Sequence, residues 1–219
     1  MSIPKTYTEA GPDKPHTRGP GRTSREDWIT TALDTLISEG IDSVKVLTLA
    51  QKLDCARSSF YWYFRHRSDL LDALLAHWQS TNTDALIASA AKPAETIHAA
   101  IVNVYSAWIS GHEFDTPLDF AIRDWARRSG KVRHALDRAD AARLTALAAM
   151  FERYGYDAGE ADIRARIFYF TQIGYEALDQ QESWSVRLER GRGYLYCMTG
   201  VVPEESEVTA LGAILPQPG

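Results

Sequence analysis

Cysteine is scarce in this chain, and long apolar runs are missing. Two cysteines, Cys55 and Cys197, lie far apart among 219 residues, with no second ligand beside either. That excludes a disulfide framework and a zinc site. No apolar run approaches the roughly 20 residues that cross a bilayer, and residues 1–22 lack the apolar middle of a secretory signal. We therefore expect a cytoplasmic chain with no membrane partner. The six histidines form no His-Glu-x-x-His pair, and neither a Gly-x-Ser-x-Gly nor a phosphate-binding loop occurs. No catalytic residue, metal or cofactor is expected, and the enzyme reading has little support. Period-two alternation is absent over any series of segments, so the fold class expected is all-α.

What remains is an ordinary globular composition, 45% hydrophobic and 24% charged. The net charge of −5 at first argues against a polyanionic partner, but its distribution does not. Residues 14–67 carry nine Lys/Arg against six Asp/Glu, so the excess of acid sits in the rest of the chain. A mildly basic N-terminal third can still present its cations to phosphate.

The pattern divides the chain into four parts. Residues 1–22, rich in Pro, Gly and Thr, read as a flexible basic arm, and residues 23–80 as a small helical domain. Residues 81–200 form a helical body entered after Lys92-Pro93, and residues 201–219 a loosely attached tail. The first helix starts at a capping-box-like Thr23-Ser24 with Glu26-Asp27. It repeats Trp28/Ile29, Ala32/Leu33 and Leu36/Ile37, and stops at Gly40. A second helix runs Val46 to Leu53 and a third from about Arg57 to Tyr63. A long fourth helix, capped by Ser68, runs to about Ala90. Five more follow, near Ala94–Ser110, Pro117–Ser129, Val132–Tyr154, Glu160–Gln180 and Trp184–Met198.

Residues 46–65 carry the functional signal. Leu47, Leu49, Ala50 and Leu53 give the second helix a buried side, while Phe60 and Phe64, four apart, anchor the third. Arg57, Ser58, Ser59, Tyr61 and Tyr63 are left to face outward. A guanidinium, two hydroxyls and two phenols all hydrogen-bond nucleic acid: Arg57 suits guanine in the major groove, the serines suit base edges or phosphates, and the phenols donate to phosphate oxygens. The plainer alternative, an aromatic cluster completing a three-helix core, fits the phenylalanines better than the rest.

This stretch, within about Thr23 to Trp78, resembles the N-terminal helix-turn-helix domain of the TetR family of transcriptional regulators. The resemblance is carried by Ala50, Asp54-Cys55-Ala56, Ser59-Phe60-Tyr61, Tyr63-Phe64, Arg67 and Leu70. It implies a helix-turn-helix at about 46–65, with base or backbone contacts from Arg57, Ser58, Ser59 and Tyr61. Phosphate contacts from Tyr63 and Arg67, and further contacts from Lys45 and Thr48, are implied too. Arg18, Arg22 and Arg25 resemble a minor-groove arm. Asp54 replaces a turn glycine, and Ala56 and Lys45 stand where hydroxyl caps are usual, which bears on operator sequence more than on fold. Partners implied are palindromic double-stranded operator DNA, a second copy of the chain, and a small hydrophobic or aromatic effector that releases a repressor.

For the body the resemblance implies a combined ligand-binding and dimerisation domain. Tyr105, Trp108, Phe114, Phe120, Trp125, Met150, Tyr154, Tyr169 and Gln172 are the candidate pocket lining; a filled core is the alternative for each singly. Ile167, Phe168, Thr171 and Tyr175, facing Leu188, Gly191 and Leu195, are the candidate dimer stripes. The run Arg123–Arg128 reads as solvated helix ends, and His98 as a surface or interdomain group. A helical small-molecule-binding protein that does not use its helix-turn-helix is the competing reading of the whole.

Overall fold

Ser24 begins the first helix by a reciprocal cap. Its hydroxyl accepts from the Asp27 amide at 3.1 Å, and the Asp27 carboxylate accepts from the Ser24 amide at 2.8 Å. Helix α1 (Arg25–Glu39) then runs to Gly40, whose φ of +81° suits a residue without Cβ. A short 3-10 turn (Ile41–Ser43) leads to α2 (Val46–Lys52). The computed structural model describes residues 23–109, 113–180 and 182–214. The expected arm 1–22, with Arg18 and Arg22, and the last residues of the expected tail, 215–219, lie outside the described residues.

Ten further helical elements follow α2 among the described residues, and no strand occurs there. Arg57–Trp62 is a 3-10 segment rather than the expected α-helix. Ala56 offers it no side-chain cap, and Ser59 instead donates to the Ala56 carbonyl at 2.8 Å, closing a tighter turn. The fourth expected helix starts at Arg67, not after a Ser68 cap. Asp69 does the capping by accepting from the amides of Arg65 and His66 at 3.1 and 3.2 Å. These bonds hold the Asp69 carboxyl below the usual carboxylate range.

That helix is α3 (Arg67–Trp78), and it does not run straight to Ala90. A π-helical stretch, Gln79–Asp84, joins it to α4 (Ala85–Ala91). The widened turn puts Asn82 and Thr83 inside, where Asn82 donates to the Asp115 carbonyl at 2.8 Å and Thr83 accepts from Arg143 at 3.2 Å. The body continues with α5 (Ile97–Ile109), α6 (Thr116–Ala126), α7 (Gly130–Glu152), α8 (Ala158–Ala177), α9 (Trp184–Thr199) and α10 (Glu205–Ile214).

Helix α10 corrects the expectation of a loose tail. Leu211 is buried against α9, so close that a Cβ on Gly191 would lie 2.8 Å from its Cδ2. The Glu207 carboxylate accepts from Thr96 at 2.5 Å and pairs with His98 at 2.8 Å, tying α10 to the start of α5. His98 is thus a buried latch rather than a surface group, bonded on its other nitrogen to Thr199 at 3.0 Å.

Two apolar cores result. The first joins Trp28, Leu36, Leu49, Phe60, Phe64, Leu70 and Trp78 to Leu118, Ile122 and Trp125 of α6, and reaches Leu136 of α7. The N-terminal domain therefore shares its core with the body instead of ending at residue 80. The second core fills the space between α4, α5, α7, α8 and α9.

Candidate nucleic-acid interface and the body that carries it

Phe60 and Phe64 fix the orientation of the segment after the turn. Both are buried, stacked on each other at 5.2 Å, and Phe60 meets the buried Trp28 edge-on at the same distance. With these two turned in, Arg57, Ser58, Tyr61 and Trp62 must turn out, and all four are exposed. The turn itself is made by Asp54, whose φ of +48° is a left-handed conformation that aspartate tolerates in a glycine's place. Leu47 departs from expectation. It is 57% exposed, on the outer side of α2, while Leu49 and Ala50 alone are fully buried there.

The outward side chains gather at a groove of about 380 Å³ lined by Lys45, Leu47, Arg57, Tyr61, Arg65, His66 and Arg67. Arg57 sits 3.5 Å from the Tyr61 hydroxyl, one turn apart. Lys45 is exposed at the start of α2 and makes no cap there, and Thr48 is partly buried on the same helix. Two expected contacts are engaged with protein instead. Arg67 donates to the carbonyls of Val44 and Ile41 at 2.5 and 3.1 Å, bracing the loop before α2, and Tyr63 donates to the Thr23 carbonyl at 2.6 Å. Both lie at the rim of the small domain, where they add side-chain donors to backbone carbonyls of the loops that flank its helices. Arg25 is exposed, its guanidinium over the Phe64 ring at 5.1 Å.

Sequence reasoning passed over Arg65 and Trp62. Arg65 lies in the groove, and Trp62 is 80% exposed on the same segment. The available signal was position: neither falls on the Phe60/Phe64 side, and a large indole left off a core face is unusual in a small domain.

The body places its candidate residues differently from the expected set. A cavity of about 50 Å³ lies between α5, α8, α9 and α10. Of the nine expected lining residues only Tyr105 and Gln172 reach it. Trp108, Phe114 and Met150 are packed into the second core, with Trp108 against Phe114 and Phe168 at 5.6 Å each, and Trp125 belongs to the first core. Phe120 is half-buried away from the cavity, and Tyr154 donates to the Ala94 carbonyl at 2.8 Å.

Tyr169 belongs to a buried charge cluster instead. Asp119, fully buried, accepts from the Trp78 indole at 2.8 Å, from Arg143 at 2.9 Å and from Arg123 at 2.9 Å. Arg123 also grips Asp140 with two bonds of 3.0 and 2.8 Å, and the Tyr169 hydroxyl donates to Asp140 at 2.7 Å. Both guanidinia reach the same hydroxyl oxygen, at 2.9 Å from Arg123 and 3.0 Å from Arg143. Burial opposes ionisation of Asp119, but the two arginines and the bonds from Arg143 and Trp78 outweigh it and hold its carboxyl below the usual range. Burial pushes the Tyr169 phenol up. Arg123 is therefore no solvated helix end. The cluster joins the last residue of α3 to α6, α7 and α8.

The expected dimer stripes also turn inward for the most part. Phe168, Thr171, Tyr175, Gly191 and Leu195 line the cavity, and Leu188 packs on α10 beside Gly212. Of that set Ile167 is exposed, and it continues an apolar row with Ile163 and Phe170 on α8, near which α9 shows Tyr196 and Cys197. Helix α8 is apolar on two adjacent faces, and periodicity alone cannot say which one is covered within the chain.

Similarity to known proteins bears on both halves. The family profile described as "Bacterial regulatory proteins, tetR family" matches residues 29–74. Tetracycline repressor protein class D of Escherichia coli and class H of Photobacterium damsela subsp. piscicida are each 42% identical over 53 residues. That match covers 24% of this chain and 24% of each repressor, so the likeness in sequence spans about a quarter of those proteins. The fold extends further. AmtR of Mycobacterium smegmatis superposes with a TM-score of 0.57 at 18% identity, over 90% of this chain and 96% of that one. GusR of Salmonella enterica gives 0.58 at 17%, over 87% and 94%. No described helix is long and apolar enough to cross a membrane. Residues 29–74 thus match the tetR family of bacterial regulatory proteins, and the all-helical architecture that carries them shares its fold with AmtR and GusR.

Proposed function

We propose that the protein is a cytoplasmic, operator-binding transcriptional regulator that acts as a homodimer, and a repressor released by a small effector, rather than an enzyme. The observation that carries this reading is the orientation of residues 57–62. Two buried phenylalanines turn Arg57, Ser58, Tyr61 and Trp62 outward beside Lys45 and Arg65, on a groove whose charged walls are cationic. Arg57 reads a base edge in the major groove, the hydroxyls of Ser58 and Tyr61 fix the backbone, and Lys45, Thr48 and Arg65 meet phosphate. Ser59 serves the turn, Arg67 and Tyr63 brace the domain, and Arg25 completes the basic rim.

A second copy binds across the exposed Ile163, Ile167 and Phe170 row of α8 with the exposed side of α9. A two-fold pair buries the same stripe on both subunits. It sets two recognition segments about 34–36 Å apart, one turn of B-DNA, on a palindromic site. An effector in the body shifts α3 and changes that separation, which lowers affinity in proportion to its preference for the mis-spaced state.

Anisotropy of a labelled duplex from upstream of the protein's own gene tests the reading. Affinity should fall steeply and log-linearly with salt, because cations that neutralise phosphates release counterions. A helical binding protein that does not use its helix-turn-helix would show weak association with no preference for that duplex over a scrambled one.

A further inference from the structure

Helix α10 is lightly fastened to the body it covers. Leu211 is its one buried residue, whereas α5 and α7 bury seven each and α8 five. An element with so little buried surface opens at a lower free energy than the core beneath it. What else holds α10 is polar and lies at its first turn. The Glu207 carboxylate accepts from the Thr96 hydroxyl at 2.5 Å and from the Glu204 amide at 2.8 Å, and it faces Nδ1 of His98 at 2.8 Å. Burial opposes its charge, but those three partners outweigh burial and hold the carboxyl below the usual carboxylate range. At 15% exposure it is still within reach of water, which can take the partners' place. Arg192 of α9 donates to the Pro203 carbonyl at 2.8 Å and pairs with Glu205. The start of α10 is therefore pinned to α9 by Arg192 and to α5 by Glu207.

The rest of the contact with α9 is apolar and fits by shape. Leu211 sits where Gly191 lacks a side chain, and Leu188 of α9 lies where Gly212 lacks one, its Cδ1 3.2 Å from where a Cβ would stand. Leu211 is also the single contribution of α10 to the cavity lining, the rest coming from α5, α8 and α9. The chamber walls thus stand without α10, and one leucine closes them. Behind α10 the end of α9 is fixed: the Met198 carbonyl accepts from Arg164 at 2.9 Å and the Thr199 carbonyl from Tyr156 at 2.6 Å. Gly200 then takes a left-handed φ of +72°, and Val201 and Val202 are 50% and 70% exposed, so the joint itself is little packed. We propose that α10 is a hinged door on this cavity, shut by Glu207 against α5 and by Leu211 against Gly191, and turning about its own start, which Arg192 keeps on α9. Its use as the entrance for an effector rests on the function proposed above; its opening does not.

Hydrogen exchange on the full chain, together with thiol labelling at the cavity wall, tests the door. In a Cys55→Ser, Cys197→Ser background, Leu195→Cys puts a thiol in the wall, and Leu147→Cys puts one in the same core away from the cavity. Amides of α10 should exchange faster than those of α7. Labelling at position 195 should keep pace with the α10 amides, and labelling at position 147 with those of α7. Glu207→Ala should speed both α10 exchange and labelling at 195 about tenfold or more, the factor that loss of one hydrogen bond to a charged group brings, and leave 147 unchanged. Glu207→Gln, which keeps an acceptor oxygen for Thr96, should speed them by less. Labelling at 195 that keeps pace with α7 instead would reduce fast α10 exchange to fraying and overturn the door. Equal acceleration of 195 and 147 by Glu207→Ala would overturn it too, as a general loosening of the core. Neither rate depends on operator binding, so failure of the regulator reading leaves this result standing.

Discussion

The two halves of this molecule distribute polarity in opposite ways. In the N-terminal domain the interior is aromatic and aliphatic, with Trp28, Phe60, Phe64, Leu70 and Trp78 in one core, and apart from the buried Thr35 its polar side chains are outside or partly so. In the body Asp119, Arg143, His98, Gln172 and Thr199 are inside, while Ile163, Ile167 and Phe170 stand in the open. A domain that grips an external polyanion needs its cations outward on a rigid apolar base. On the function proposed here, the body's exposed apolar row receives a second copy, and its buried charge fixes the relative placement of its helices. Trp78 lies where the two regimes meet: an indole of the first core whose N–H ends on Asp119 of the second region.

The largest expected effect tests that junction. Asp119→Ala takes from the fully buried Arg143 its closest carboxylate and should cost about 3–5 kcal/mol in denaturant unfolding. The paired change Asp119→Leu with Arg143→Met should recover most of the loss, since the alternative to a buried ion pair is a packed apolar contact. The same carboxylate predicts an acid limb. Its folded pKa is depressed, so its contribution is complete above the ordinary Asp value near 4 and is lost as pH falls through the lower folded value. Urea titrations from pH 7 to pH 3 should show a stability decline that Asp119→Asn flattens, starting from lower stability. Parallel declines in the two proteins would remove Asp119 from the account.

Next in size is the exposed row. Phe170→Asp should cost about 2 kcal/mol in dimer association, roughly a 30-fold rise in dissociation constant, read by sedimentation velocity. Helix content should be unchanged, because Phe170 is half exposed within the single chain. Arg57→Ala should lose about 1–3 kcal/mol of discrimination against one altered base pair while leaving the dimer intact. Unchanged discrimination would return the outward face to mere solvation. The smallest change is Arg25→Gln, which removes a cation from the Phe64 ring and should lower stability by about 0.5–1 kcal/mol.

Residues 23–64 were legible because their information is local. A capping pair, an apolar repeat at helical spacing and two phenylalanines four apart are statements about neighbours in the chain, and burial of Trp28, Phe60 and Phe64 follows them. Reading failed at smaller scale at Arg57–Trp62, where Ser59 closes a 3-10 turn on the Ala56 carbonyl in place of an expected helix. In the body the failures were systematic. Trp108, Phe114 and Met150 were reasonable pocket candidates by composition, yet they fill the core, and the cavity formed instead among residues expected at the dimer stripes. Arg123 and His98 looked like surface groups because their partners, Asp140, Tyr169 and Glu207, lie 17, 46 and 109 positions away.

The order and approximate limits of the helices, the all-helical class and the outward arginine and hydroxyls of the helix-turn-helix were set by the sequence alone, since backbone hydrogen bonds and side-chain periodicity act within a few residues. Which of two apolar faces of α8 is covered, that residues 205–214 form a helix sealing a cavity, and that Asp119 and Arg143 share an interior were decided only by tertiary packing. Those outcomes depend on which distant surfaces exclude water together, and no local pattern encodes the partner.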